Sequence, residues 1–187
     1  MQDEKANAHG IKWGLIIGLV YAVMLLLRYT TGATSIIMFT LWTFLGYIIV
    51  LILLLVAAFQ LRKALGGYVE LKLAFKSLFI AVLIFELVYV VFTFVYLKLV
   101  NPDFYLQLRD ATEALLEKTK QSEAQTRKML ENFDVDIPRK MNFLDAIKTY
   151  LSWVAISGIF AFLFALIVKR KREPFQDQDD NFFQHQP

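Results

Sequence analysis

Leu78-Phe79-Ile80-Ala81-Val82-Leu83-Ile84-Phe85-Glu86-Leu87-Val88-Tyr89-Val90-Val91-Phe92-Thr93-Phe94-Val95-Tyr96-Leu97 is apolar or aromatic throughout, save for Glu86 and Thr93. A helix of this length covers about 30 Å, the thickness of a bilayer's hydrocarbon core. Only a structure that satisfies its own backbone hydrogen bonds crosses that layer, so this stretch predicts a transmembrane α-helix. The whole span extends over about residues 73–100. Three further apolar blocks accompany it, at about 13–29, 36–61 and 147–168. The expected fold is therefore all-α, an integral membrane four-helix bundle. The second block is longer than a perpendicular crossing requires and is expected to tilt or project from the bilayer.

The composition agrees. Of the 187 residues, 57% are hydrophobic, against about 45–50% for a soluble domain. No cysteine is present, which excludes disulfides, thiolate catalysis and thiolate metal sites. The net charge of +3 carries no basic cluster interleaved with aromatics, so nucleic acid is not an expected partner. A cleaved leader is not expected either, because Arg28 and Tyr29 separate the first apolar run from the small residues Gly32-Ala33-Thr34.

The connections differ in character. Thr30 to Ser35 is a short turn. Arg62-Lys63-Ala64-Leu65-Gly66-Gly67 is a basic turn in which Gly66 and Gly67 allow positive φ. Residues 101–142 form a long polar insert whose basic residues are matched by acidic ones. The basic residues nearest the spans are Lys5, Lys12, Arg62, Lys63, Lys72, Lys76 and the run Lys169, Arg170, Lys171, Arg172. Their bias places both termini in the cytoplasm and the insert outside. The same run is a candidate for contact with anionic lipid.

The insert reads as helix. Asn101 is expected to cap it, with Pro102 and Asp103 in the first turn. Leu108, Ala111 and Leu115 recur at helical spacing, and Glu123 and Arg127 form an i,i+4 pair. One helix from 103 to 132, about 45 Å long, and a hairpin broken near Gln121–Ser122 both fit. Leu108, Leu115, Ser122 and Met129 recur every seven residues, but Thr112, Thr119 and Thr126 at the companion positions leave only a weak coiled-coil signal. Pro138 should end the insert's helix, and Asn142 with Asp145 should open the next. Residues 1–172 thus make one membrane domain. Residues 173–187, rich in Gln, Asp and Asn, read as a disordered cytoplasmic tail whose Phe175, Phe182 and Phe183 are candidates for docking a partner.

Catalytic patterns are absent: His9 and His185 lie in terminal segments, and no metalloprotease, nucleophile-elbow, phosphate-loop or dinucleotide motif occurs. The expectation is a protein that is not an enzyme and needs no cofactor and no metal. The sharpest candidate site is Glu86. A carboxylate in hydrocarbon must face the bundle interior and find a partner or a proton. It reads either as one structural contact or as the centre of a proton-linked site. Arg28 is a candidate partner, and snorkelling of Arg28 to the interface is the alternative. Tyr21, Thr43, Tyr47, Tyr89 and Ser157 are the other hydrogen-bonding neighbours considered. Gly10, Gly14 and Gly18, spaced by four, bare one face of the first helix for close packing. Ser157, Ala161 and Ala165 do the same for the fourth. Such a seam serves the bundle itself or a homo-oligomer. Trp13, Trp153 and tyrosines near the span ends are expected to anchor at the interfaces.

Gly14 and Gly18, the stretch Leu61-Arg62-Lys63-Ala64-Leu65-Gly66-Gly67-Tyr68-Val69-Glu70-Leu71-Lys72-Leu73-Ala74-Phe75-Lys76, and Asn101-Pro102-Asp103 together resemble the bacterial membrane family named domain of unknown function 4199, widespread in Bacteroidota. The resemblance implies four spans and a long extracytoplasmic insert, and the expected location is the bacterial inner membrane. It implies no activity, substrate or catalytic residue. Two functional readings follow from the residues: a non-enzymatic scaffold or accessory protein with partners at residues 101–142 or the tail, and a small transporter or proton-coupled carrier centred on Glu86. Reporter fusions should place residue 120 outside and both ends inside. Residue 120 on the same side as the ends would overturn the orientation.

Overall fold

The computed structural model of the chain describes residues 2–119 and 142–170, together with residues 130, 135, 136 and 140. It is built of helices: α1 (Gln2–Gly32), α2 (Ile36–Ala64), α3 (Leu71–Val95), a π-helical turn (Tyr96–Val100), α4 (Phe104–Lys118) and α5 (Phe143–Val168). α1, α2, α5 and α3 with its π-helical turn are each long and apolar enough to cross a membrane. Their outward faces carry large apolar side chains, such as Leu19 on α1, Phe44 on α2, Val91 on α3 and Ile159 on α5. Water would not tolerate such continuous apolar surface on a monomer, whereas hydrocarbon solvates it.

Local chemistry sets the helix ends. Ser35 caps α2, its side chain accepting from the Met38 N–H. Asn142 and Asp145 form a reciprocal capping box at the start of α5, satisfying two backbone donors. Gly66 and Gly67 adopt φ of 78° and 89°, the left-handed region that glycine enters without a Cβ penalty. The Arg62 Nε donates to the Gly67 carbonyl across this turn. The turn is also stitched to the end of α5. Val69 and Arg170 exchange two backbone hydrogen bonds of 3.1 and 3.0 Å, and the Arg170 guanidinium lies 5.7 Å from the centre of the Tyr68 ring.

The expected start of the insert helix is corrected. Asn101 does not cap α4. Its N–H closes the π-helical turn on the Tyr96 carbonyl, and its side chain pairs with Gln107. The chain then turns through Pro102 and Asp103, and the helix begins at Phe104. α4 ends at Lys118. The Glu123–Arg127 pair, the heptad positions Ser122 and Met129, the break at Gln121–Ser122, the Pro138 stop, Lys171, Arg172 and the tail lie outside the described residues.

α3 is the spine of the bundle. α1 packs against one side of it and α5 against the other, while α2 leans chiefly on α1. Of the four glycines of α1, Gly10, Gly14 and Gly18 face α3, and Gly32 meets Phe39 of α2. A Cβ at Gly10 would collide with the Ser77 carbonyl oxygen. One at Gly14 would stand 2.8 Å from Ile84 Cβ and 3.0 Å from Ala81 Cα, and one at Gly18 would stand 3.0 Å from Val88 Cγ2. The two backbones meet without intervening side chains, as close-packing seams in lipid require. Gly14→Ala should therefore destabilise the bundle by about 1–3 kcal/mol through overpacking. Gly46→Ala, whose Cβ would sit at an ordinary 3.7 Å from the Tyr21 ring, should be close to neutral. Unfolding titrations in mixed detergent micelles compare the two, and equal losses would show that the α1–α3 approach is not limiting.

Candidate functional site

Glu86 is 2% exposed, deep in α3. From Ser77, which faces α1, to Glu86 is nine positions, about two and a half turns at 3.6 residues each. The carboxylate therefore lies on the side of α3 turned away from α1 and towards α5. There the Ser157 hydroxyl donates to its Oε1 at 2.5 Å. Ser157, Ala161 and Ala165 are all buried, so the small-residue stripe of α5 is the surface that receives α3. Gly158 brings α5 against the Phe79 ring, and the Tyr150 hydroxyl donates to the Leu83 carbonyl at 3.1 Å.

Tyr89, one turn further along α3, belongs to an aromatic layer drawn from all four spans. Tyr21 stacks on Tyr89 with centroids 5.4 Å apart and planes 10° from parallel. Trp153 meets Tyr89 edge-on at 6.0 Å and lies 5.2 Å from Tyr47. The rings touch one another, an arrangement favoured by their quadrupoles. Trp153, ten residues along α5, is half-buried against these rings, and Trp13 is buried.

Arg28 does not reach Glu86. Its guanidinium lies over the Phe39 ring, 4.3 Å from the centroid, and 5.4 Å from that of Tyr29. The reason is depth: Gly18 lies against Phe85 and Val88 of α3, and Tyr29 against Thr93 and Tyr96, so Arg28 sits about 13 Å beyond Glu86 along the bundle. Of the neighbours considered, Ser157 bonds the carboxylate, and Thr43 instead donates to the Phe39 carbonyl of its own helix. Gly66, Gly67, Lys169 and Arg170 gather at the opposite end of the bundle from α4. Sequence reasoning missed Ser77, which lies beneath Gly10 and whose hydroxyl meets His9 Nδ1 at 3.3 Å. It also missed the Asp3–Lys76 ion pair of 2.9 Å, because neither pattern has a local spacing. Among the described residues no group of three or more His, Cys, Asp or Glu could hold a metal ion.

Four apolar helices around a sealed polar contact are the features of a multi-pass α-helical membrane protein. Residues 12–170 match the model of the family described as Protein of unknown function (DUF4199), and the chain belongs to that family. No curated protein and no solved structure matches it.

If the Glu86–Ser157 contact serves packing, removing one partner costs more than replacing both. Ser157→Ala should lower stability by about 1–3 kcal/mol. Glu86→Gln, which keeps an acceptor, should cost less, and the double change Glu86→Leu with Ser157→Ala should recover most of the loss. Detergent unfolding of the four proteins decides the matter, and a double variant no more stable than Ser157→Ala would sink this reading.

Proposed function

We propose that the chain is a non-enzymatic scaffold or accessory subunit of a bacterial inner membrane, with both termini cytoplasmic and with partners held at residues 101–142 or at the tail. The supporting observation is that the polar interior is spent within the chain. Glu86 is sealed and bonded to Ser157, and the glycine face of α1 is filled by α3. What is left to offer partners lies at the two ends. The basic residues nearest the spans, gathered at the Gly66-Gly67 end, support the orientation.

A second reading, a proton-coupled carrier, draws on one observation: among the described residues no cation partners the Glu86 carboxylate. It requires that Glu86→Gln abolish a gradient-driven flux while the protein still folds.

Cross-linking in native membranes, followed by identification of the captured proteins, separates the two. The scaffold reading expects stable partners, a second copy of the chain among the outcomes, that are lost when residues 101–142 or 173–187 are removed. Recovery of isolated monomer after gentle solubilisation, together with an Glu86-dependent flux in vesicles, would overturn it in favour of the carrier.

A further inference from the structure

The interior of the bundle is polar on one side of Glu86 and dry on the other. Towards the α4 end, Tyr89 lies one turn beyond Glu86 on the same helix and is buried with it. Tyr21 of α1, also buried, stacks on the Tyr89 ring at 5.4 Å. The Tyr47 ring of α2 lies 6.4 Å from that of Tyr21, and the two hydroxyls approach one another. Both phenols are within electrostatic reach of the Glu86 carboxylate on one side and of the Arg28 guanidinium on the other. Tyr105 of α4 is in turn within reach of Arg28 and of Tyr89. Arg28 and Tyr105 are half-buried, so this line of phenols begins beside a buried carboxylate and ends at the rim of the bundle.

Towards the Gly66-Gly67 end the same interior is apolar. Ile17, Leu54, Leu78, Val82 and Ala161, drawn from all four spans, are each at most 1% exposed. The Tyr150 hydroxyl on this side of Glu86 is committed to the Leu83 carbonyl. The next buried hydroxyl among the described residues is that of Ser77. It stands nine positions down α3, about 13 Å away, beneath Gly10 of α1.

A phenol both donates and accepts a hydrogen bond. Neighbouring phenols therefore hand a proton on, each taking one from one side and releasing its own to the other. Aliphatic side chains do neither, and a charge crossing them carries the full cost of desolvation. The bundle need not open for such a transfer. No electron moves, and the Glu86 carboxylate that takes the proton becomes a neutral acid. The groups facing it from the packed helices are themselves neutral: Tyr21, Tyr47, Tyr89, Tyr150 and Ser157. The nearest fixed charge on the route is Arg28, which opposes metal cations and slows the proton itself.

We infer that Glu86 exchanges its proton with the α4 side of the membrane only, by way of the phenols of Tyr89, Tyr21 and Tyr47. The inference goes beyond the scaffold reading and requires no transported solute.

The test uses the full chain in sealed lipid vesicles. The chain has no cysteine of its own, so Asp110→Cys and an impermeant maleimide report whether α4 faces out. Infrared difference spectra follow the carbonyl stretch of protonated Glu86, assigned by its loss in Glu86→Gln, after a pH step in the outer medium with the lumen buffered. The band should respond at once where α4 faces out, and should wait for the lumen pH where α4 faces in. The double variant Tyr21→Phe/Tyr47→Phe keeps the rings but loses the hydroxyls, and should slow the response about a hundredfold, the low end of what a positioned proton-transfer group contributes. Tyr150→Phe should leave the rate unchanged, and Arg28→Gln should quicken it severalfold by removing the positive charge on the route. A response from the Gly66-Gly67 side, an equal response from both sides, or no Glu86 band change at any pH where the protein stays folded overturns the inference. So does an unchanged rate in the folded double variant. Should that variant fail to fold, the sidedness of the chain with its phenols intact decides alone.

Discussion

The bundle depends on how closely α1 approaches α3. In lipid no hydrophobic force drives helices together, so association rests on close packing and hydrogen bonding. Gly10, Gly14 and Gly18 remove the side chains that would hold the two backbones apart, and Ser77, Ala81 and Phe85 of α3 occupy the space. That contact also sets the rotation of α3 about its axis. Once Ser77 and Ala81 lie under the glycines, Phe79, Leu83 and Glu86 must turn to the other side. There each meets α5, through Gly158, Tyr150 and Ser157. Three glycines on one helix thus decide which helix receives the carboxylate of another.

This explains which features could be read from the chain and which could not. The four spans were legible because apolar length is a one-dimensional signal. Gly66 and Gly67 were legible as a reversal because their backbone freedom is a property of the residue itself. The Asn142–Asp145 box was legible because its two partners are three positions apart. The partner of Glu86 was not. Depth counted from uncertain helix ends made Arg28 a candidate, and the register that separates the pair is set by a seam between distant segments, Gly18 on Phe85 and Tyr29 on Thr93. The Val69–Arg170 bridge joins segments a hundred residues apart and leaves no local trace, and the start of α4 was displaced by a π-helical turn that no residue type announces.

The two intramembrane ionisable groups are handled in different ways, and the contrast says where the molecule can still interact. Glu86 is enclosed by helices and has a short hydrogen bond from a neutral hydroxyl. Its further polar neighbours are the phenols of Tyr21, Tyr47 and Tyr150, drawn from α1, α2 and α5. Arg28 is held only by aromatic faces, Phe39 and Tyr29. A ring face offsets part of the cost of removing a guanidinium from water, but it accepts no hydrogen bond in the plane of the fork. The Nε of Arg28 therefore stays unmet even though its faces are covered, and the Nε of Arg109 is unmet as well. A polar group buried with its valences filled contributes to the fold. One buried with valences open gains most from something outside the chain. By that measure, unmet capacity among the described residues is divided between Arg28 and Arg109 on one side and Asn7 and His9 near the start of α1 on the other, while the carboxylate at the centre is bonded within the chain.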